Sequence, residues 1–285
     1  MRNGMQHPLQ QTFDRLAASS PRLQAQLGLQ SGPGWMRPAA LFTADHLTRA
    51  RAQVEADYGV SSPNVVASVL LAGYGWSLMA IGVGAYLHGD RVPDLHPDNV
   101  CLHWDDVYNY ADRLALVEGR FTALPDDPAA GRPGVAVVSD RDALRRCLLR
   151  EFESHFGLAL SWLGEHLPVR ERALWPTLAD RCASFVFWLL NEVAGEPRTP
   201  EEIATEMRAL TAHKHSRLSN RCIDLITVEG GDGATHCFYR RATCCHAYRL
   251  AGHGYCTTCP HLSREAQLKN VRTAVREKVA AAGAA

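Results

Sequence analysis

Apolar residues recur at spacings of three and four through Leu144, Leu148, Phe152, His155, Phe156, Leu160 and Leu163. That stripe predicts a long amphipathic helix, opened by Ser139-Asp140. A second helix is predicted from about Arg170 to Ala194, ending near Gly195. Thr199 as N-cap, Pro200 at the first helical position and Glu201 and Glu202 in the first turn predict a third. These three helices read as one packed layer. Upstream, residues 1–30 are Gln-rich and weakly helical, and 31–38 read as a loop. Thr43 caps a helix ending near Gly59. Residues 65–87 then run for 23 positions without a charge. That is long enough to cross a bilayer. Gly73, Gly75, Gly82 and Gly84 interrupt the run, however, so it reads as two buried helices or one kinked helix, begun at Ser62-Pro63. A loose association with the inner membrane face stays open.

The pattern turns β-like in two places. After a turn-rich stretch from Gly89 to Asn99, the runs VCLHW, RLALV and RFTAL predict short strands. The last two flank Glu118-Gly119 and predict a hairpin there. Residues 125–134 form a loop and a candidate internal boundary. Near Arg221 the helical pattern stops. Residues 222–228 and 235–241 predict two strands about the Gly230–Gly233 turn. A cysteine-rich stretch follows, and then a C-terminal helix from Ser263, mostly exposed by its charge density.

The chain of 285 residues has 46% hydrophobic and 21% charged residues, close to the globular average and with room for a substantial core. Thirty basic and thirty acidic residues cancel, which argues against a protein that grips nucleic acid over a large face. The opening MRNGMQHPLQQTFDRL has no apolar run behind a basic segment, so no secretory signal is predicted. The odd number of cysteines fits poorly with a fully paired extracellular framework, and a reducing cytoplasm is expected.

Four of the nine cysteines fall within residues 244–259, as Cys244-Cys245 and Cys256-x-x-Cys259 separated by ten residues. Four thiolates on a Gly-containing loop are the number that a structural zinc or an iron–sulfur cluster needs. The second pair has zinc-like spacing. The adjacent first pair does not, because neighbouring side chains diverge, whereas two irons accept ligands from more directions. Arg240, Arg241 and Arg249 flank the thiolates and suit an anionic centre. On these grounds an iron–sulfur site, a zinc site and a redox dithiol all stay open.

The stretch RRATCCHAYRLAGHGYCTTCPHL resembles the C-terminal signature of the FhuF-like ferric-siderophore reductases, from the Arg pair through both Cys pairs to Pro260. His261 stands where that family commonly has Leu. The strong likeness covers about 25 residues. It is looser upstream, at Arg91-Val92-Pro93-Asp94-Leu95 and in the helices after 140. The resemblance implies a [2Fe–2S] cluster held by Cys244, Cys245, Cys256 and Cys259. Arg240, Arg241 and Arg249 are then candidates to tune the cluster or touch substrate. It further implies one-electron reduction of ferric siderophores with release of Fe(II) in the cytoplasm. A zinc-stabilised binding module and an iron–sulfur sensor or assembly protein are the alternatives.

Other chemistry is sparse. Cys101, Cys147, Cys182, Cys222 and Cys237 read as small core residues. Trp76, Tyr86, Trp104, Trp162, Trp175 and Trp188 read as core too. His246, His253 and His261 are candidates for hydrogen bonds near the cluster. His213, Lys214, His215, Arg217 and Arg221 form a basic run that reads as a solvated turn. No Walker or dinucleotide fingerprint is present, so electrons are expected from an external ferredoxin- or flavin-type partner. The expected fold is α+β: a predominantly helical layer with a small antiparallel sheet and a C-terminal iron–sulfur loop. Residues 1–220 would form the siderophore-binding region, and 221–285 the hairpin, cluster motif and last helix.

Overall fold

The computed structural model describes residues 6–59, 62–105, 109–193, 198–220 and 223–283. In chain order its elements are α1 (Pro8–Ser19), β1 (Gln24–Leu27), β2 (Trp35–Met36), α2 (Pro38–Leu41), α3 (Ala44–Tyr58), α4 (Pro63–Tyr74), α5 (Trp76–Gly89), β3 (Arg91–Pro93), β4 (Val100–Asp105), β5 (Tyr110–Leu116), β6 (Phe121–Ala123) and β7 (Val135–Val137). Then come α6 (Arg141–His166), α7 (Glu171–Trp188) with a π-helical end at Leu189–Val193, α8 (Pro200–Thr211), β8 (Asp224–Glu229), β9 (Thr235–Arg240) and α9 (Arg264–Gly283). The class is α+β, with helices dominant as the periodicity predicts.

The uncharged run folds as α4 and α5, which meet at 49°. No single helix among the described residues is long and apolar enough to cross a membrane, although the bent pair together has the length and composition. Residues 77–86 of α5 are all buried. Its glycines permit this close fit: a Cβ on Gly82 would stand 2.8 Å from the Phe152 ring. The stripe of α6 packs against α5, and α7 packs against α4, α5, α6 and α8. Asp140 caps α6 by accepting from the Ala143 amide. Thr199 and Glu202 form a reciprocal capping box on α8. Both satisfy backbone donors that a helix start leaves unpaired.

The strands lie in small sheets beside the helical layer, as an α+β class requires, and they are divided among three. They form a four-stranded mixed sheet in the order β1-β5-β4-β2, a three-stranded mixed sheet β3-β6-β7, and the hairpin β8-β9. The hairpin predicted about Glu118-Gly119 is absent, because β5 pairs with β4 and β1 while β6 pairs with β3 and β7. Asn99 fixes this crossing between sheets. Its side chain accepts from the Glu118 amide and donates to the Glu118 and Asp94 carbonyls. Strands β6 and β7 flank the 125–134 loop and pair in parallel. Within that loop Asp127 takes a two-pronged bond from buried Arg91.

The β8-β9 hairpin places the cluster loop. Its cross-strand pairs alternate between two faces, as the period of two requires. Leu225 and Tyr239 face the main core, while Ile226 and Phe238 face α9. Helix α9 contributes Val271 and Val275, with Leu268 and Val279 beside them, to a small second core. The rest of α9 is largely exposed, as its charge density predicts. The chain leaving β9 at Arg240 is thus held on one side by the helical body and on the other by α9.

Candidate metal centre

Cys244 and Cys245 follow β9 by four and five residues, and Cys256 and Cys259 close the same loop before α9. The first pair is separated by backbone conformation. His246 sits in the left-handed region at φ 60°, uncommon without glycine, and its amide donates to Cys244 Sγ at 3.3 Å. Cys245 points elsewhere, with its Sγ 3.8 Å from Cys256 Sγ. The second pair is a tight turn, the Cys259 amide donating to the Cys256 carbonyl at 3.0 Å. Among the described residues, no three His, Cys, Asp or Glu side chains already close a shell around one ion. The loop instead brings together Cys245 and Cys256, one thiol from each half of the motif.

Three clamps hold the loop. Asp180 of α7, fully buried, accepts from the Ala242 amide at 2.7 Å and from the Tyr239 hydroxyl at 2.6 Å. Thr258 donates its hydroxyl to the Tyr239 carbonyl at 2.6 Å. Gln267 of α9, also buried, donates to the Cys259 carbonyl at 2.8 Å. Each half of the loop is therefore tied to a rigid element by at least one hydrogen bond, part-buried at Ala242 and fully buried at Cys259, and buried bonds are costly to break.

The electrostatics suit an anion. Arg241, largely buried, lies 3.4 Å from Asp180 Oδ2. Burial pushes the Cys245 thiol up, but Arg241, the Ala247 amide, the Cys256 contact and Arg181 outweigh it and leave its pKa lowered. Cys256 is pushed up to about 11, first by burial and then by the Cys245 charge beside it. Burial likewise raises Cys244, with Cys245 and Cys259 adding to it. Four thiolates on one loop, two of them 3.8 Å apart, do not all ionise without a compensating cation. Iron supplies it. Two buried polar atoms that lack hydrogen-bond partners also lie here, Thr243 Oγ1 and His246 Nδ1. Both flank the Cys244-Cys245 pair, where sulfur acceptors of a cluster would engage a hydroxyl or ring N–H. Donor set, charge and orphaned polar atoms thus fit a [2Fe–2S] group on Cys244, Cys245, Cys256 and Cys259.

The three flanking arginines part company. Arg241 faces the thiols, Arg240 donates to Gln267 at 3.3 Å, and Arg249 is exposed over the Tyr248 ring. Asp180, Arg181, Thr258 and Gln267 escape sequence reasoning, since none lies in a recognisable pattern and the Asp180 contact spans 62 residues. Of the remaining cysteines, Cys101, Cys147 and Cys182 are buried and Cys237 donates to Asn191. Cys222 and Arg221 lie outside the described residues. In the basic run, Arg217 pairs with Glu171 and lies over Trp175. Tyr86, Trp104 and Trp175 are buried, and Trp76, Trp162 and Trp188 pack half-buried against the core.

Residues 241–261 match the FhuF 2Fe-2S C-terminal domain, which sets aside the zinc and dithiol alternatives for this loop. Residues 70–214, just over half of the chain, match the family described as ferric iron reductase FhuF-like transporter. No curated protein matches the chain. The family match spans α5 to α8, the helical body on which the cluster loop is clamped, and the chain belongs to the FhuF-like ferric iron reductase family with a [2Fe–2S] C-terminal domain.

Proposed function

We propose that this chain is a cytoplasmic oxidoreductase that reduces ferric siderophores by one electron, releasing Fe(II), and is recharged by an external ferredoxin- or flavin-type donor. The carrying observation is the four-cysteine loop docked against Arg241 and the buried Asp180 of α7. A bound [2Fe–2S] group supplies a one-electron couple there. The chain's own part is to fix the ligands and set the local charge. Arg241 and Arg181 place positive charge beside the Cys244-Cys245 end, and the added electron is favoured by it. Gln267 and Thr258 keep the Cys256–Cys259 turn in register with β9.

Siderophores hold Fe(III) through hard oxygen donors. Fe(II) is a softer, less highly charged ion and binds them more weakly. One electron therefore frees the metal without cleaving the chelator, and the freed oxygens take protons from water. No nucleophile or general base is required.

The test is stoichiometric. Protein carrying the cluster is pre-reduced without oxygen and mixed with a ferric hydroxamate or ferric catecholate in the presence of an Fe(II)-trapping dye. One trapped Fe(II) per reduced cluster is expected, with matching reoxidation in the visible spectrum. A cluster that stays reduced, with no trapped Fe(II), would refute the reading.

A further inference from the structure

The cluster loop also has an outward face, turned away from Asp180 and α7. Tyr248, Tyr255 and His261 pack on one another there, with ring centroids 4.9 Å, 5.4 Å and 6.1 Å apart. The Arg249 guanidinium lies 5.4 Å from the Tyr248 ring centre. These rings come from three points of the loop, after Cys245, before Cys256 and after Cys259. They gather on the ligand-bearing segment itself. Yet Tyr255 is 52% exposed, and Arg249, His253 and His261 are exposed too. Tyr and Arg displayed together are the residue types that anchor protein interfaces.

Charge specifies the partner further. From Gly233 to Arg264 the chain has four Arg, four His and no Asp or Glu. Arg241 is engaged by Asp180 and Arg240 by Gln267, whereas Arg264 is exposed at the start of α9 and Arg249 is exposed against the Tyr248 ring, beside the aromatic group. A loop whose own residues include no acid, and which displays clustered rings beside Arg249, is complementary to a negatively charged surface. Its outward disposition suits the small contact areas of electron-transfer encounters. Small ligands prefer concave sites that cover most of their surface.

We infer that Tyr248, Arg249, Tyr255 and His261 form the docking surface for an acidic one-electron donor protein, which delivers its electron across this loop. The inference rests on the proposed reading that electrons arrive from an external partner, and it goes beyond it by assigning the surface and the donor's charge.

The test uses the full-length chain with its cluster. A chemically reduced, acidic plant-type ferredoxin is mixed with it anaerobically, and reduction of the chain's cluster is followed by stopped-flow absorbance. The bimolecular rate should fall steeply with added salt. At low salt Arg249→Glu should slow it about tenfold or more, and Tyr255→Ser several-fold. At about 0.5 M salt, where charges are screened over a few ångströms, Arg249→Glu should approach the parent rate. Iron content and visible spectra establish that each variant carries its cluster. A second arm measures reoxidation of dithionite-reduced protein by ferric hydroxamate and ferric catecholate. Lack of reduction by the ferredoxin, or a rate indifferent to salt and to Arg249→Glu, would overturn the inference. So would slowing confined to the chelate arm, which would make this face the chelate's seat. Failure of the parent protein to be reoxidised by either chelate would strike the reductase reading alone.

Discussion

Asp180 is a carboxylate with no exposed surface, a position tolerable only because donors fill its approaches. Oδ1 receives the Ala242 amide and the Tyr239 hydroxyl, and Oδ2 faces Arg241. Asp180→Asn can keep Oδ1 as an acceptor, but its amide group then meets the guanidinium donor to donor. Two effects on the cluster potential follow, with opposite signs. Losing a negative charge raises the potential, whereas freeing Arg241 from its place lowers it. Asp180 holds Arg241 at 3.4 Å and is itself fully buried behind it, so the release of Arg241 should win and Asp180→Asn should lower the midpoint potential. Arg241→Gln should lower it too, and the double variant should fall no further than Arg241→Gln alone. Redox titration followed by EPR reads all three. An upward shift in Asp180→Asn would show the carboxylate acting as a bare charge. Asp180→Ala removes every contact and should cost about 3–5 kcal/mol, read as lost cluster and a lower denaturation midpoint. Replacing Cys256 by Ser puts a harder oxygen in the ligand set and should yield protein with little bound iron. Full iron content there would exclude Cys256 as a ligand.

At the scale of elements, α5 shows how an uncharged helix becomes a core. Gly82 faces the Phe152 ring and a Leu95 methyl, so Gly82→Ala inserts a methyl where α5 meets α6. The helix-propensity gain is about 1 kcal/mol. Overpacking costs about 1–3 kcal/mol. Net destabilisation is therefore expected in urea denaturation, and a stabilised variant would mean that Phe152 moves aside freely. Sequence reads such elements well where the determinants are local. The α8 capping box lies within four residues, and the α6 stripe repeats through its whole length. It reads the strands less well because pairing is decided elsewhere. Glu118-Gly119 looks like a hairpin turn, but Asn99 holds that segment from 19 residues away and sends the chain into a second sheet. The cluster loop shows the same division. Its four cysteines and the Arg240-Arg241 pair are legible in one short motif. Asp180, which fixes the loop to α7, is one unremarkable acid in a helix until the fold brings it to Ala242.

For the whole molecule, one buried histidine couples stability to pH. His155 on α6 is fully buried and joins three parts of the fold. Its Nδ1 donates to the Leu95 carbonyl, and its Nε2 accepts from the Tyr74 hydroxyl at the end of α4. Both nitrogens are used in the neutral ring, and a second proton would put a charge in this fully buried site and make the Tyr74 hydroxyl turn from donor to acceptor. Burial lowers its pKa from 6.5 to about 4. The unfolded chain binds this proton below about pH 6.5 and the native chain only below about 4, so acid favours unfolding across that window. About 3 kcal/mol of stability is lost progressively as pH falls from about 6.5 to about 4, and above that window it is fully retained. His155→Gln, neutral at every pH, should be less stable than the parent at pH 7.5 but should lose less on acidification. Urea denaturation of both proteins at pH 7.5, 6 and 5 reads the gap between them. That gap should narrow as pH falls, and taking the difference cancels the acid sensitivity that both share through the cluster. A gap that stays constant or widens would mean that His155 is already protonated in the native fold.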